Sequence, residues 1–238
     1  MAKFNVNSSD FQKEGVKVNA ADYLKNELET LRVDLEWEGL DLDVCAFMLD
    51  EDGELGSEDD VVCFKSEVRW KTTRPFHDPN FNPLEGEKST WEKDGEKFGG
   101  RIKKWKNETL PLSPDTSVIG SWDDGGDNCD VCGETMHVRL EEINSIKYKR
   151  IVFAAVVAEH LISEGITFKD IKNANVKITD CDQPETSIVE YSLTKEYPNE
   201  MSVCFGELVF DKSRLDWTFK PMSEAYRGGI VYLIQKVF

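Results

Sequence analysis

The sequence has no positive charge where its negative charge is densest. No Lys or Arg occurs between Arg32 and Lys65, or between Lys106 and Arg139, and the formal net charge is −17. Such an acidic chain repels nucleic acid and anionic lipid, which are polyanions themselves. Histidine is scarce: His77, His137 and His160 are scattered, with no partner motif that makes a catalytic triad. GxSxG, P-loop and GxGxxG motifs are absent. The residues therefore support a protein that binds rather than an enzyme. No apolar run approaches the ~20 residues of a membrane span, so an integral membrane protein is not expected. Residues 1–20 lack the apolar centre of a signal peptide, and the expected compartment is the cytoplasm. Cys45, Cys63 and Cys204 lie in apolar, strand-like runs, where a thiol acts as a small core residue. Without a secretory signal, a disulfide framework is not expected.

What is present is mostly β-patterned. Leu31, Val33, Leu35 and Trp37 alternate with Arg32, Asp34 and Glu36, and Gly39 ends the run. Asp41–Leu49 reads as a central strand, Asp52-Gly53 as a hairpin turn and Asp60–Phe64 as the partner strand. Further strands are expected at Val16–Asn19, Thr116–Gly120, Met136–Leu140, Arg150–Val157, Ala174–Thr179, Ser187–Leu193, Met201–Val209 and Leu215–Phe219. Ala20–Thr30 fits one or two helical turns, and the tail from Tyr226 fits a strand or a short C-terminal helix equally. Many short strands between Gly, Pro, Asp and Asn point to a mainly β, two-sheet β-sandwich with few short helices. One domain over residues 1–238 accommodates it. Residues 65–115 differ: they are rich in proline, lack strand periodicity and carry the basic cluster Lys97, Arg101, Lys103, Lys104 and Lys106. They read as a long inserted loop or hairpin, too short and too proline-rich for a core of its own.

The chemistry lies in two acidic stretches. Asp41 and Asp43 are two apart on a strand, so they project from one face and repel each other. The loop Ser121–Thr135 holds Asp123, Asp124, Asp127, Asp130 and Glu134 together with Gly125, Gly126 and Gly133. A hard cation resolves that repulsion, taking ~6–8 oxygen ligands, and glycines let the backbone fold inward around it. Carboxylates of the two stretches converging at one end of a sandwich would bind Ca2+. The plainer reading is a solvated acidic loop, which is what most charge runs are.

Other motifs carry less. Asp50–Asp59 tempts an EF-hand reading, but glycine stands fourth rather than sixth and Val61 occupies the twelfth position, where a bidentate acid is required. Cys129-x-x-Cys132 has metal-ligand spacing with His137 nearby, yet a structural zinc site needs four ligands and no second CxxC exists. A zinc or thiol site there is the alternative. Lys97–Lys106 with Trp91 and Trp105 hints at nucleic acid. In so acidic a chain, a docking surface for a protein partner or a plain exposed hairpin is the better reading.

The blocks taken together resemble the TerD-type tellurium-resistance and stress-protein family. Asp41-Leu-Asp-Val-Cys-Ala-Phe-Met-Leu, with its hairpin, is similar to the family's DLD-x-x-AF-x-L strand. Ser117-Val-Ile-Gly-Ser-Trp-Asp-Asp resembles its SV-x-x-x-GDN stretch, and Lys149-Arg-Ile-Val-Phe-Ala-Ala-Val-Val its IVFVV strand. Lys172-Asn-Ala-Asn-Val-Lys-Ile, Phe205-Gly-Glu-Leu, Trp217-Thr-Phe-Lys-Pro and Tyr226-Arg-Gly-Gly-Ile follow in the family's order. The resemblance implies a non-enzymatic, Ca2+-binding β-sandwich acting in tellurite or stress response. It implies metal roles for Asp41 and Asp43 (the DLD acids), Asp60 before the second hairpin strand and Asp123 of GDN. Asp124 stands where Asn is usual, Asp130 and Glu134 fall in the GDDE-like region, and Glu207 matches FGEL. The acidic loop keeps the family's acid count but not its order, and the 65–115 stretch is much longer than the family's usual link.

Overall fold

The computed structural model describes residues 4–6, 17–18, 28–75, 78–94, 97, 100–123 and 129–238. In chain order the strands are β1 (Phe4–Val6), β2 (Lys17–Val18), β3 (Thr30–Gly39), β4 (Leu42–Leu49) and β5 (Val61–Val62). Next come β6 (Val68–Thr72), β7 (Gly86–Thr90), β8 (Leu110–Pro111), β9 (Val118–Gly120) and β10 (Cys129–Arg139). The last five are β11 (Arg150–Val157), β12 (Lys172–Asp180), β13 (Gln183–Ser192), β14 (Ser202–Asp211) and β15 (Asp216–Tyr226). They form two six-stranded sheets, ordered β1-β15-β14-β11-β4-β5 and β2-β13-β12-β3-β10-β9, plus a three-stranded sheet β7-β6-β8. Pairing is antiparallel except where β1 runs parallel to β15. The mainly β expectation holds, and the third sheet adds to it.

The alternating residues of β3 do what their pattern requires: Leu31, Val33, Leu35 and Trp37 are buried in the core between the large sheets. The unbroken apolar run of β4 has a different cause. Leu42, Val44, Ala46 and Met48 enter the intersheet core, while Cys45, Phe47 and Leu49 enter a second cluster on the sheet's outer face. That outer face is covered by the C-terminal helix Ile230–Lys236 through Ile230 and Leu233. A strand buried on both faces loses its alternation. The helix also decides the tail, where β-branched residues left strand and helix equally open.

Three expectations are corrected. Residues 65–115 do form a hairpin, β6 with β7, but not one without a core: Val68, Trp70, Leu110 and Leu112 pack with Ile119 of β9 in an apolar cluster. Their alternation was hidden because Arg69, between Val68 and Trp70, is itself buried. The loop after β9 is shorter than Ser121–Thr135, because β10 starts at Cys129 and pairs with β3 across an irregularity between Cys129 and Cys132. Cys132 is disulfide-bonded rather than a free thiol. Ala20–Glu27 of the expected helical turns lie outside the described residues, and Thr30 begins β3. Among the described residues, no helix is long and apolar enough to cross a membrane.

Candidate metal centre

Asp43 is the second residue of β4 and shares its parity with Cys45 and Phe47, so it lies on the outer side of its sheet. Glu134, in β10 of the facing sheet, has the inward parity of Cys132, Met136 and Val138. The two meet at an open edge. β5 pairs only with Ala46 and Phe47 of β4, leaving the strand uncovered before them. There the backbone N–H of Val44 donates to Glu134 Oε2 at 2.7 Å. Asp123 comes from the segment that follows β9, which is held against β10 by Met136↔Gly120 pairing.

Carboxylate oxygens of Asp43, Asp123 and Glu134 all lie within 4.8 Å of one another. Asp43 and Glu134 are only 3% and 5% exposed, whereas Asp123 is exposed. Among the described residues no basic side chain forms an ion pair with Asp43 or Glu134. The electrostatics follow. Burial, reinforced by the Asp41 and Asp123 charges, pushes the Asp43 carboxyl up to about 8. Burial and then Asp43 push Glu134 well above the usual carboxylate range, against the pull of the Val44 N–H. Lys65 draws Asp43 back down, but more weakly than the acids raise it. Buried like charges cost folding free energy unless a proton or a cation neutralises them.

The residues expected at the site divide clearly. Asp43, Asp123 and Glu134 are brought together, and Asp41 acts on two of them electrostatically from just before β4. Asp130 is exposed on β10 and outside the trio. Asp124 and Asp127 lie outside the described residues. Asp60 and Glu207 are not brought to the trio, and each has a cation of its own. Asp60 is fully buried, 2.7 Å from Lys147 Nζ, and accepts from the Tyr148 hydroxyl. By register with β4 it sits beside Met48, roughly 17 Å along the strand from Asp43 at ~3.4 Å per residue. Glu207 accepts from Arg150 Nε at 2.8 Å and Nη2 at 2.7 Å. The disulfide at Cys132 removes that sulfur as a thiolate ligand, which counts against zinc there.

An all-oxygen set of three carboxylates suits a hard cation, and two of the three are buried with no ion pair among the described residues. The residues present therefore fit Ca2+. What the sequence did not signal is the surrounding basic and aromatic wall. Phe64, Arg69, Lys103, Lys106 and Trp122 share a cavity with Asp123. Of these, the sequence marks only the lysines, as part of the basic cluster.

The family model described as "TerD domain" matches residues 110–237. A relative, the tellurium resistance protein TerD of Serratia marcescens, is 24% identical over 118 residues, or 50% of this chain and 59% of the relative. The chain thus spans about three-fifths of the length of the curated relative it matches.

Proposed function

The chain belongs to the TerD domain family, and on that premise we propose that it is a non-enzymatic Ca2+-binding protein of the tellurite-resistance and stress-response type. Asp43, Asp123 and Glu134 hold the ion, and Asp41 adds charge beside them. The observation that carries this reading is the convergence of three carboxylates at one strand edge, two of them buried and none of those two ion-paired. Ca2+ supplies the missing positive charge and takes ~6–8 oxygens. The three carboxylates offer two oxygens each, and water or nearby acids complete the shell.

The consequence is mechanical. Asp43 and Glu134 belong to the two different sheets, and Asp123 belongs to the segment between β9 and β10. An ion held by all three ties the sheets and that segment together at one edge. The shape of that edge, and any protein surface built on it, then depends on the ion. We place this activity in the cytoplasm, with a protein partner reading the ion-dependent edge or the adjoining 65–115 region.

The test is Ca2+ titration by calorimetry together with thermal melting. At ~100 times the dissociation constant, linkage adds about 2.7 kcal/mol, which for a chain of this size is several degrees in Tm. Asp43→Asn combined with Asp123→Asn removes most of that shift. No heat and no Tm change at millimolar Ca2+ would sink the reading.

A further inference from the structure

Next to the acidic trio the charge reverses. A cavity of about 740 Å3 is lined by Phe64, Arg69, Ile102, Lys103, Lys106 and Trp122, and it reaches Asp123. Its size falls in the roughly 300–1,000 Å3 range of small-molecule sites. The basic wall comes from the short helix Ile102–Asn107. Lys103 and Lys106 are three apart and share a face, while Trp105 is buried on another and donates to Ser89 Oγ at 2.9 Å. The helix is tied to the trio's own segment, because the Trp122 indole N–H donates to the Asn107 carbonyl at 2.9 Å. Trp122 immediately precedes Asp123.

A second observation points to an anion. Arg69 is only 3% exposed and makes no ion pair among the described residues. Its guanidinium is held only by neutral acceptors: Thr109 Oγ1 at 3.1 Å and the carbonyls of Phe64, Lys106 and Thr109 at 3.2, 2.8 and 2.7 Å. Those bonds use four of five N–H groups and supply no countercharge. Burial pulls its pKa down to about 10, and the nearby Cys63 and Glu67 offset that pull only in part. Lys106 is engaged by Glu67 and the Lys65 carbonyl, whereas Lys103 is exposed with no partner among the described residues. A buried guanidinium is costly to leave unneutralised.

We propose that this cavity binds a small phosphate-bearing molecule. Lys103 and Arg69 face its phosphate from one side, and the cation at the Asp43–Asp123–Glu134 trio faces it from the other. The cation half of this inference rests on the function proposed above. Phosphate fits better than a monocarboxylate because its three free oxygens serve three convergent charges, and hard divalent cations are commonly shared between protein carboxylates and ligand phosphates. Trp122, Phe64 and Ile102 offer apolar walls for the part of the ligand that carries the phosphate.

The experiment is calorimetric titration of the full chain, with and without Ca2+, using four probes: inorganic phosphate, ribose 5-phosphate, adenosine 5′-monophosphate and adenosine. Supporting results are binding of the phosphate compounds but not adenosine, at least about fivefold tighter with Ca2+. Lys103→Ala weakens that binding about tenfold, Lys103→Arg restores it, and Ca2+ affinity in the absence of phosphate is unchanged in both. If Ca2+ binds but no phosphate compound does at about 10 mM, or if Lys103→Ala makes no difference, the inference is overturned and the Ca2+ reading stands. If phosphate compounds bind but Ca2+ does not, the Ca2+ reading falls and the two-sided site falls with it.

Discussion

Val44 and Glu134 are 90 residues apart in the chain, and a 2.7 Å hydrogen bond joins them across the two sheets. The bond gives Glu134 two roles. It accepts an N–H that β5 leaves uncovered, and it holds a charge beside Asp43 and Asp123. Two substitutions separate these roles. Glu134→Gln keeps an oxygen acceptor and removes the charge, so the protein without Ca2+ becomes more stable at neutral pH while its Ca2+ response is mostly lost. Glu134→Ala also strands the Val44 N–H, at a cost of about 1–3 kcal/mol. Chemical denaturation of both variants in EDTA and in Ca2+ gives the comparison. Equal stability of the two in EDTA would show that the Val44 bond contributes nothing.

The trio also sets a pH dependence. Asp43 is raised from 3.8 to about 8 in the folded state, chiefly by burial. Between those values the folded chain holds a proton that the unfolded chain has lost. Stability is therefore complete below the unfolded value and falls as pH rises through about 8. In EDTA, Tm should decline from about pH 5 to about pH 8. Because Ca2+ takes only the ionised carboxylates, its affinity should rise over the same interval and its binding should release protons. Melting curves at several pH values, in EDTA and in Ca2+, report both effects. A Tm in EDTA that climbs through this window contradicts the assigned shift.

The acids of the site were legible to different degrees, for physical reasons. Asp43 stood out because a charge opens an otherwise apolar central strand. Glu134 did not read as a strand residue because it occupies an inward position between Cys132 and Met136, where the pattern calls for an apolar side chain. That break hid the first half of β10, and it is also a residue of the proposed site. Local rules fail most readily where a site displaces them. Asp60 and Glu207 could not be sorted from the ligands in the same way. Their partners, Lys147 and Arg150, lie 87 and 57 residues away, and only the fold brings them together. Arg69 was hidden for a related reason: a buried cation inside β6 looks like the solvent face of a loop.

Asp60, with partners of its own, therefore provides a control. Its carboxylate takes Lys147 Nζ at 2.7 Å and the Tyr148 hydroxyl, at the far end of β4 from Asp43. Asp60→Asn should lower stability by about 1–3 kcal/mol, the loss of charged hydrogen bonds. It should leave the Ca2+ dissociation constant within about twofold of wild type. Asp43→Asn should do the reverse, stabilising the Ca2+-free protein and weakening its Ca2+ response. Paired calorimetry and denaturation of the two variants test the division. A large loss of Ca2+ affinity in Asp60→Asn would return Asp60 to the site.

Trp70 tests whether the small sheet matters to the trio. Its side chain packs with Leu110, Leu112 and Ile119, and the Arg139 guanidinium lies over its ring at 5.0 Å. Ile119 belongs to β9, whose next residues lead to Trp122 and Asp123. Trp70→Ala should cost about 3–5 kcal/mol, as for other large side chains removed from a packed cluster. It should also weaken Ca2+ binding, because the cavity it leaves loosens the base from which Asp123 projects. A surface hairpin with no core would give neither effect, since exposed substitutions stay within about ±0.5 kcal/mol. If Trp70→Ala destabilises the protein yet leaves Ca2+ affinity intact, the segment that carries Asp123 is held without the small sheet, through the Met136↔Gly120 pairing and the Trp122–Asn107 hydrogen bond. The small sheet is then a neighbour of the site and not its support.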